Sequence, residues 1–227
     1  MAKIKKWVGP VFLEPIQHKY HHRETGKIYK SVTTTLASIE PHFDSEGVAL
    51  AITKQADNVK QERYIGMSQQ QILDYWQFLN DEANVYGTKV HDIVERYLLA
   101  NKWYFPPDNE EGVFEQKVID GYNALKIDEG QAMWPERILF SEQYQLAGTS
   151  DLIIDINDVF FDVADYKTNR VFNFYNPYGF ETLLKPFDHL QSSQFSIYNL
   201  QLSVYAAMYM LEFPKRKCRQ IYVLYWN

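Results

Sequence analysis

The sequence predicts an α/β (α+β) fold, and three observations carry that prediction. Residues 146–168 (LAGTSDLIIDINDVFFDVADYKT) read as two β-rich runs joined by a tight turn. Apolar residues recur at helical spacing in 90–97, 113–125 and 194–212. Two further strand-like runs, 135–142 and 220–226, flank that hairpin along the chain. At 227 residues the chain fits one domain with a subsidiary lobe and can bury a substantial core. The sequence divides into an N-terminal hairpin and helical lobe, 1–82, and a core, 83–227.

In order, residues 1–30 interleave lysines 3, 5, 6 and 19 and Arg23 with aromatic residues, a character that suits phosphate contact or a solvated hairpin alike. Tyr20 to Tyr29 read as a strand, a turn at Thr25-Gly26 and a second strand. His18, His21 and His22 lack partner ligands at zinc spacing and read as surface histidines. Ser31 is placed to cap a helix expected from about Leu36, and 45–61 has helical composition. Ser68 N-caps another helix, with Ile72, Trp76 and Phe78 as core.

Val90, Ile93, Val94 and Tyr97 form a buried stripe. His91 and Glu95, four apart, stack on a neighbouring face of the same helix. They read either as a ligand with its companion or as a structural histidine paired with its acid. Gly87, one turn before His91, lacks a Cβ and lets another element approach closely. Residues 103–112 are turn-rich, and 113–125 place Val113, Phe114, Val118, Ile119 and Tyr122 on one helical stripe. The strand 135–142 carries two further acidic candidates, Glu136 and Glu142.

In the hairpin, side chains alternate, so Asp165 and Lys167 share one face and Tyr166 points to the other. If the turn is centred on Asp158, Asp151 lies directly opposite Asp165, with Cβ atoms about 4.5–5.5 Å apart. Two carboxylates so placed can share one divalent cation. A two-residue Asn157-Asp158 loop would instead set Asp151 opposite Ala164, so the metal reading requires an odd-length loop or a bulge. The alternative is a hairpin with ordinary solvent-facing charges.

Residues 169–185 are irregular and aromatic, with Phe172, Phe174, Tyr175, Tyr178 and Phe180. Such a segment suits either stacking on unpaired bases, worth about 1–3 kcal/mol each, or packing on itself. The amphipathic helix 194–212 carries Gln201 and Tyr205 at i, i+4; Pro214 stops it, 215–219 form a basic turn, and 220–226 are the last strand.

Composition is globular, with 46% hydrophobic and 23% charged residues. The net charge of −6 argues against a broadly basic protein that coats nucleic acid. It is compatible with acids clustered around a cation. One cysteine, Cys218, excludes an intrachain disulfide and any cluster needing four thiolates from this chain, and fits a reducing compartment. Gly9, Pro10 and Glu14 interrupt the start, so no leader is expected, and no run approaches 18 apolar residues.

Set in order, these pieces resemble the PD-(D/E)XK nuclease superfamily, in its RecB-like and phage exonuclease-like branch. The matching motifs are GTKVHDIVE (87–95), the acid Glu136, GTSD (148–151), DYK (165–167) and QLSVY (201–205). SVTTTL and YIGMSQQQILDYW extend the similarity forward over most of the chain. The first hairpin acid follows Gly-Thr-Ser rather than Pro, as in the RecB-like branch.

The resemblance implies a central mixed sheet flanked by helices, a restriction-endonuclease-like core behind an N-terminal helical lobe. It implies Mg²⁺ or Mn²⁺ held by His91, Asp151, Asp165 and the Tyr166 carbonyl, and no iron–sulfur cluster. Lys167 would orient and help deprotonate the attacking water, or stabilise charge on the phosphate. Glu95 and Glu136 would be second-layer groups or ligands of a second ion, while Gln201 and Tyr205 would shape the site from the following helix.

The activity implied is metal-dependent hydrolysis of DNA phosphodiesters, by an exonuclease acting on ends or single strands in replication, recombination or repair. The alternatives are a structure-specific endonuclease and a non-cleaving nucleic-acid-binding subunit. DNA is the expected partner, a helicase or recombination protein stays open as another, and the expected location is the cytoplasm, that of the host for a phage protein.

Overall fold

The β-branched and aromatic runs in the middle of the chain form three long antiparallel strands, β5 (Ala132–Ser141), β6 (Leu146–Asp155) and β7 (Phe160–Lys167). A computed structural model describes residues 3–54, 59–127, 130–169, 172–176 and 181–225. Among these, five further strands complete an eight-stranded mixed sheet. They are β1 (Lys3–Ile4), β2 (Val11–Glu14), β3 (Lys19–His22), β4 (Ile28–Ser31) and β8 (Lys217–Tyr225). β1 runs parallel to β5, and β8 parallel to β7. The meander β2–β3–β4 joins through β4, which pairs parallel with the start of β6.

Among the described residues there are five α-helices: α1 (Val32–Ala37), α2 (Ser45–Lys54), α3 (Gln69–Leu99), α4 (Glu110–Ala124) and α5 (Gln194–Glu212). All but α2 pack on the sheet; Ala49 and Ile52 of α2 pack on Ile72 of α3. Val90, Ile93, Val94 and Leu98 of α3 and Val118 and Ile119 of α4 cover Leu152, Ile154, Ala164 and Tyr166 on one face. Leu202, Tyr205, Met208 and Tyr209 of α5, with Val32 and Leu36 of α1, cover Ile153, Phe161 and Val163 on the other. β6 is thus apolar on both faces, as a central strand must be. Tyr166 and the Asp165–Lys167 pair fall on opposite faces, as alternation requires.

Local signals explain most boundaries. Ser68 caps α3 in a capping box with Gln71, and Ser193 caps α5 through the Ser196 N–H. Ser31 does cap a helix, but α1 starts at Val32 and ends at Ala37 rather than starting near Leu36. The expected separate helices around 68–78 and 83–99 are one continuous helix of 31 residues. Position 82/83, where the sequence divides lobe from core, lies inside it.

Phe78 and Val113, expected in the core, are exposed. Only 215–216 of the expected basic turn lie outside β8, because Asp162 on the neighbouring strand pairs with Arg219 and draws it into the sheet. Tyr178, Phe180 and Trp226 lie outside the described residues. Among those described, no helix is long and apolar enough to cross a membrane.

Candidate functional site

The β6–β7 register places Leu152 opposite Ala164 and Asp155 opposite Phe161, so the hairpin is centred on Asp158 with an odd-length connection. One step beyond the last pair, the same register sets Asp151 across from Asp165. There the backbone ladder ends, and the Tyr166 N–H instead donates to Asp151 Oδ2 at 2.6 Å. On the other side of β6 the ladder to β5 pairs Pro135 with Leu152 and Arg137 with Ser150, bracketing Glu136 against Asp151. Three acids therefore stand abreast on three adjacent strands, where like charges repel.

Glu136 has a φ of 45°, in the left-handed region. A non-glycine residue held there within a strand costs about 1–3 kcal/mol and persists only when its neighbours fix it. They do so here. Pro135 precedes it, and the buried Arg137 donates to Glu212 Oε1 at 2.7 Å while its guanidinium lies 4.6 Å from the Trp134 ring centroid. The distortion turns the Glu136 carboxylate toward α3.

His91 completes the group from α3. Its Nδ1 lies 3.5 Å from both Glu136 Oε1 and Asp151 Oδ1, and its Nε2 lies 3.2 Å from the Tyr166 carbonyl oxygen. Gly87 eases the close approach of α3 to this end of β7: a Cβ there would stand 3.1 Å from Thr168 Oγ1. One ligand atom from each of His91, Glu136 and Asp151 falls within 4.8 Å of the others. Glu136 Oε1 is buried without a hydrogen-bond donor, its contact to His91 being long for one.

Charges respond to this crowding. Burial pulls the His91 imidazolium down, but Glu136, Asp151 and Asp165 more than reverse this and lift it to about 9. Burial, then Asp165, pushes the Asp151 carboxyl well above its ordinary range. Burial lowers the Lys167 ammonium, and Asp165 and Asp151 raise it further than burial lowers it.

The structure brings some of the predicted residues together and separates others. His91, Glu136 and Asp151 come together, with Glu136 more central than expected. Asp165 stands outside that trio and pairs with Lys167, Oδ2 to Nζ at 2.5 Å. The Tyr166 carbonyl faces His91. Gln201 and Tyr205 are buried in contact with one another, Gln201 Nε2 donating to the Tyr205 oxygen at 3.1 Å. Tyr205 rests on Gly148, where a Cβ would come within 2.6 Å of its ring. Glu95 is half-buried one turn beyond His91, and burial with the nearby Glu136 raises its carboxyl. Glu142 instead pairs with Lys27 and Tyr29.

A cavity of about 520 Å³ opens over the group, and His91, Glu136, Tyr166 and Lys167 lie in its wall. Sequence reasoning missed the rest of the lining, which includes His18, Asn80, Asn84, Thr88, Asn169 and Tyr198. A signal existed for α3: Asn80, Asn84, Gly87, Thr88 and His91 follow helical spacing as a polar stripe. His18 reaches the cavity from the β2–β3 turn with a φ of 50°.

Comparison with family models, curated proteins and solved structures finds no match to this chain. What the site can do therefore rests on its own chemistry. An imidazole nitrogen and two carboxylates form a donor set suited to a divalent cation, open on one side to the cavity. The buried, undonated Glu136 oxygen and the mutual repulsion of three acids are both relieved by such a cation.

Proposed function

We propose that the chain is a metal-dependent nuclease with a PD-(D/E)XK, restriction-endonuclease-like core, hydrolysing DNA phosphodiesters at ends or in single strands. The observation that carries this reading is the convergence of His91, Glu136 and Asp151 beside the Asp165–Lys167 ion pair, with His91, Glu136 and Lys167 in the wall of one cavity. Acids alone would suit a structural cluster. Acids with an imidazole and a lysine, opening to solvent, suit an anionic substrate.

In this reading His91 Nδ1, Glu136 and Asp151 hold Mg²⁺ or Mn²⁺. The bound ion would neutralise the phosphate and lower the pKa of its water. The Tyr166 carbonyl accepts from His91 Nε2 and fixes the ring's orientation. Lys167 presents its ammonium to the scissile phosphate and stabilises the charge that builds there. Asp165 anchors Lys167 and adds negative potential behind the site. Gln201 and Tyr205 support the floor from α5 without reaching substrate.

The test compares wild type with Asp165→Ala and Lys167→Ala on end-labelled single-stranded, duplex and closed circular DNA, with Mg²⁺, Mn²⁺ or EDTA. Metal-dependent loss of linear DNA, absent in both variants and sparing circles, is the expected outcome. Cutting of circles would make the enzyme an endonuclease. Binding without cleavage under every metal would overturn the catalytic reading and leave a nucleic-acid-binding subunit.

A further inference from the structure

The cavity wall continues outward as a series of aromatic rings that the metal site does not use. Tyr198 lines the cavity, and its ring centroid lies 4.6 Å from Lys167 Nζ. Phe172 follows, 5.9 Å from Tyr198 between centroids, and Phe174 lies 4.8 Å beyond Phe172. Phe174 in turn meets Phe195 of α5 at 5.6 Å, the two planes inclined by 36°. The outer rings are open to solvent: Phe174 is 59% exposed, Tyr175 74% and Phe195 44%.

This surface is built. Asn173 N–H donates to Gln194 Oε1 at 2.9 Å, and Phe195 N–H donates to the Asn173 carbonyl at 3.2 Å, clamping the 172–176 segment to the first turn of α5. The Tyr198 and Tyr225 hydroxyls both bond Asn169, to its side chain and its carbonyl respectively, which ties the inner end to the residue two past Lys167. A loop packed only on itself would turn these rings inward. Here the inner rings do pack, against Tyr198 and Tyr225, and the outer ones face water.

Resting on the phosphodiester-cleaving reading above, we infer that Phe174, Tyr175 and Phe195 form a stacking shelf for unpaired bases of a strand whose phosphate sits at Lys167. The occupant follows from continuity: whatever lies on the shelf extends from a group held at the cavity, and a phosphodiester there carries a base on each side. Bases in a duplex already have both faces covered by their neighbours. The shelf therefore selects single-stranded segments, such as tails and frayed ends. It does so with little sequence preference, since every base offers a π-face.

The experiment measures anisotropy of a fluorescein-labelled oligothymidylate, an abasic oligonucleotide of equal length and a blunt duplex. Each is bound in Ca²⁺ to wild type, Phe174→Ala, the Phe174→Ala/Phe195→Ala pair and Phe174→Trp. The shelf predicts about 10- to 100-fold weaker oligothymidylate binding for the double variant, a loss on the scale of one or two base stacks. It also predicts little change for Phe174→Trp, which keeps an aromatic face, and none for the abasic strand or the duplex.

Equal loss on abasic and base-bearing strands would overturn the shelf, as would unaltered binding in the double variant. A change in oligomeric state by light scattering, with binding unaltered, would give the face to a second copy and overturn it likewise. Metal-dependent hydrolysis of bis(4-nitrophenyl) phosphate, too small to span site and shelf, reports the site separately. If wild type shows none, the nuclease reading falls, while the oligonucleotide titrations still decide whether the shelf binds bases.

Discussion

Asp151 and Asp155 lie four residues apart on the same face of β6, both buried, yet their surroundings differ. Asp155 accepts from Trp134 Nε1 at 2.9 Å, from the Tyr209 hydroxyl at 2.6 Å and from Arg216. Asp162 on β7 is similar, with Arg219 Nε at 3.0 Å and the Gln220 N–H at 3.1 Å on its Oδ1. Asp151 has one backbone N–H and otherwise faces Asp165, Glu136 and His91. A buried acid encircled by donors is complete as folded. One that faces two other acids keeps unmet repulsion that a bound cation would relieve, and on the reading proposed above that difference separates scaffold from site.

The sharpest way to break the contrast is to neutralise each aspartate in turn. Asp151→Asn keeps an oxygen for the Tyr166 N–H while removing charge from the acid row. Its expected effect is loss of cleavage on the order of 10²–10³-fold, the scale of single electrostatic groups at reacting centres. Stability in EDTA should hold or rise. Asp155→Ala strands Arg216 and should cost up to about 3–5 kcal/mol, while the folded fraction still cleaves. Thermal unfolding alongside cleavage reads both. Equal destabilisation by the two substitutions would erase the distinction.

Metal titration sharpens it from the other side. Ligand at about 100 times its dissociation constant stabilises by about 2.7 kcal/mol, or about 5–10 °C for a chain of this size. Mn²⁺ should raise the unfolding midpoint of wild type and Asp155→Asn by that amount. Asp151→Asn and Glu136→Gln should show little shift. A Glu136→Gln response equal to wild type would remove Glu136 from the ligand set.

The pH dependence of the chelated protein is a smaller effect with a definite sign. His91 is lifted from 6.5 to about 9 in the folded state. Its contribution to stability is therefore present in full below about pH 6.5 and lost as pH rises through about 9. Denaturant titrations in EDTA from pH 6 to 9.5 should show that decline, and His91→Gln should flatten it. An identical slope in the variant would assign the decline elsewhere.

How much of this was legible in sequence follows from where the partners lie. The sequence shows the hairpin but leaves two registers open, and strand pairing selects the one centred on Asp158. The α3 start is readable from Ser68. The continuity of α3 is not, since the stretch around Phe78 and Val85 is exposed and lacks the apolar stripe that identifies a helix. Asp155 and Asp162 look in sequence much like Asp151 and Asp165. What makes them structural is Trp134, Tyr209, Arg216 and Arg219, brought in by strand and helix packing. The sequence does not set Glu136 above other acids, because its place beside His91 depends on a backbone distortion, and no residue type at that position announces a positive φ.

Cys218 tests the scaffold half of the contrast at its smallest. Burial first, then the neighbouring Asp162 carboxylate, raises its thiol from 9.0 to about 11. The thiol is therefore held neutral well above physiological pH. Iodoacetamide at pH 8.5 should then alkylate native Cys218 about 100-fold more slowly than in the urea-unfolded chain, since the thiolate is the reactive form. Asp162→Asn, checked for folding by its unfolding midpoint, should recover part of that rate. Native alkylation as fast as unfolded would mean that Asp162 exerts no such field. The contrast between the donor-encircled acids and the acids beside His91 would then rest on their hydrogen bonds alone.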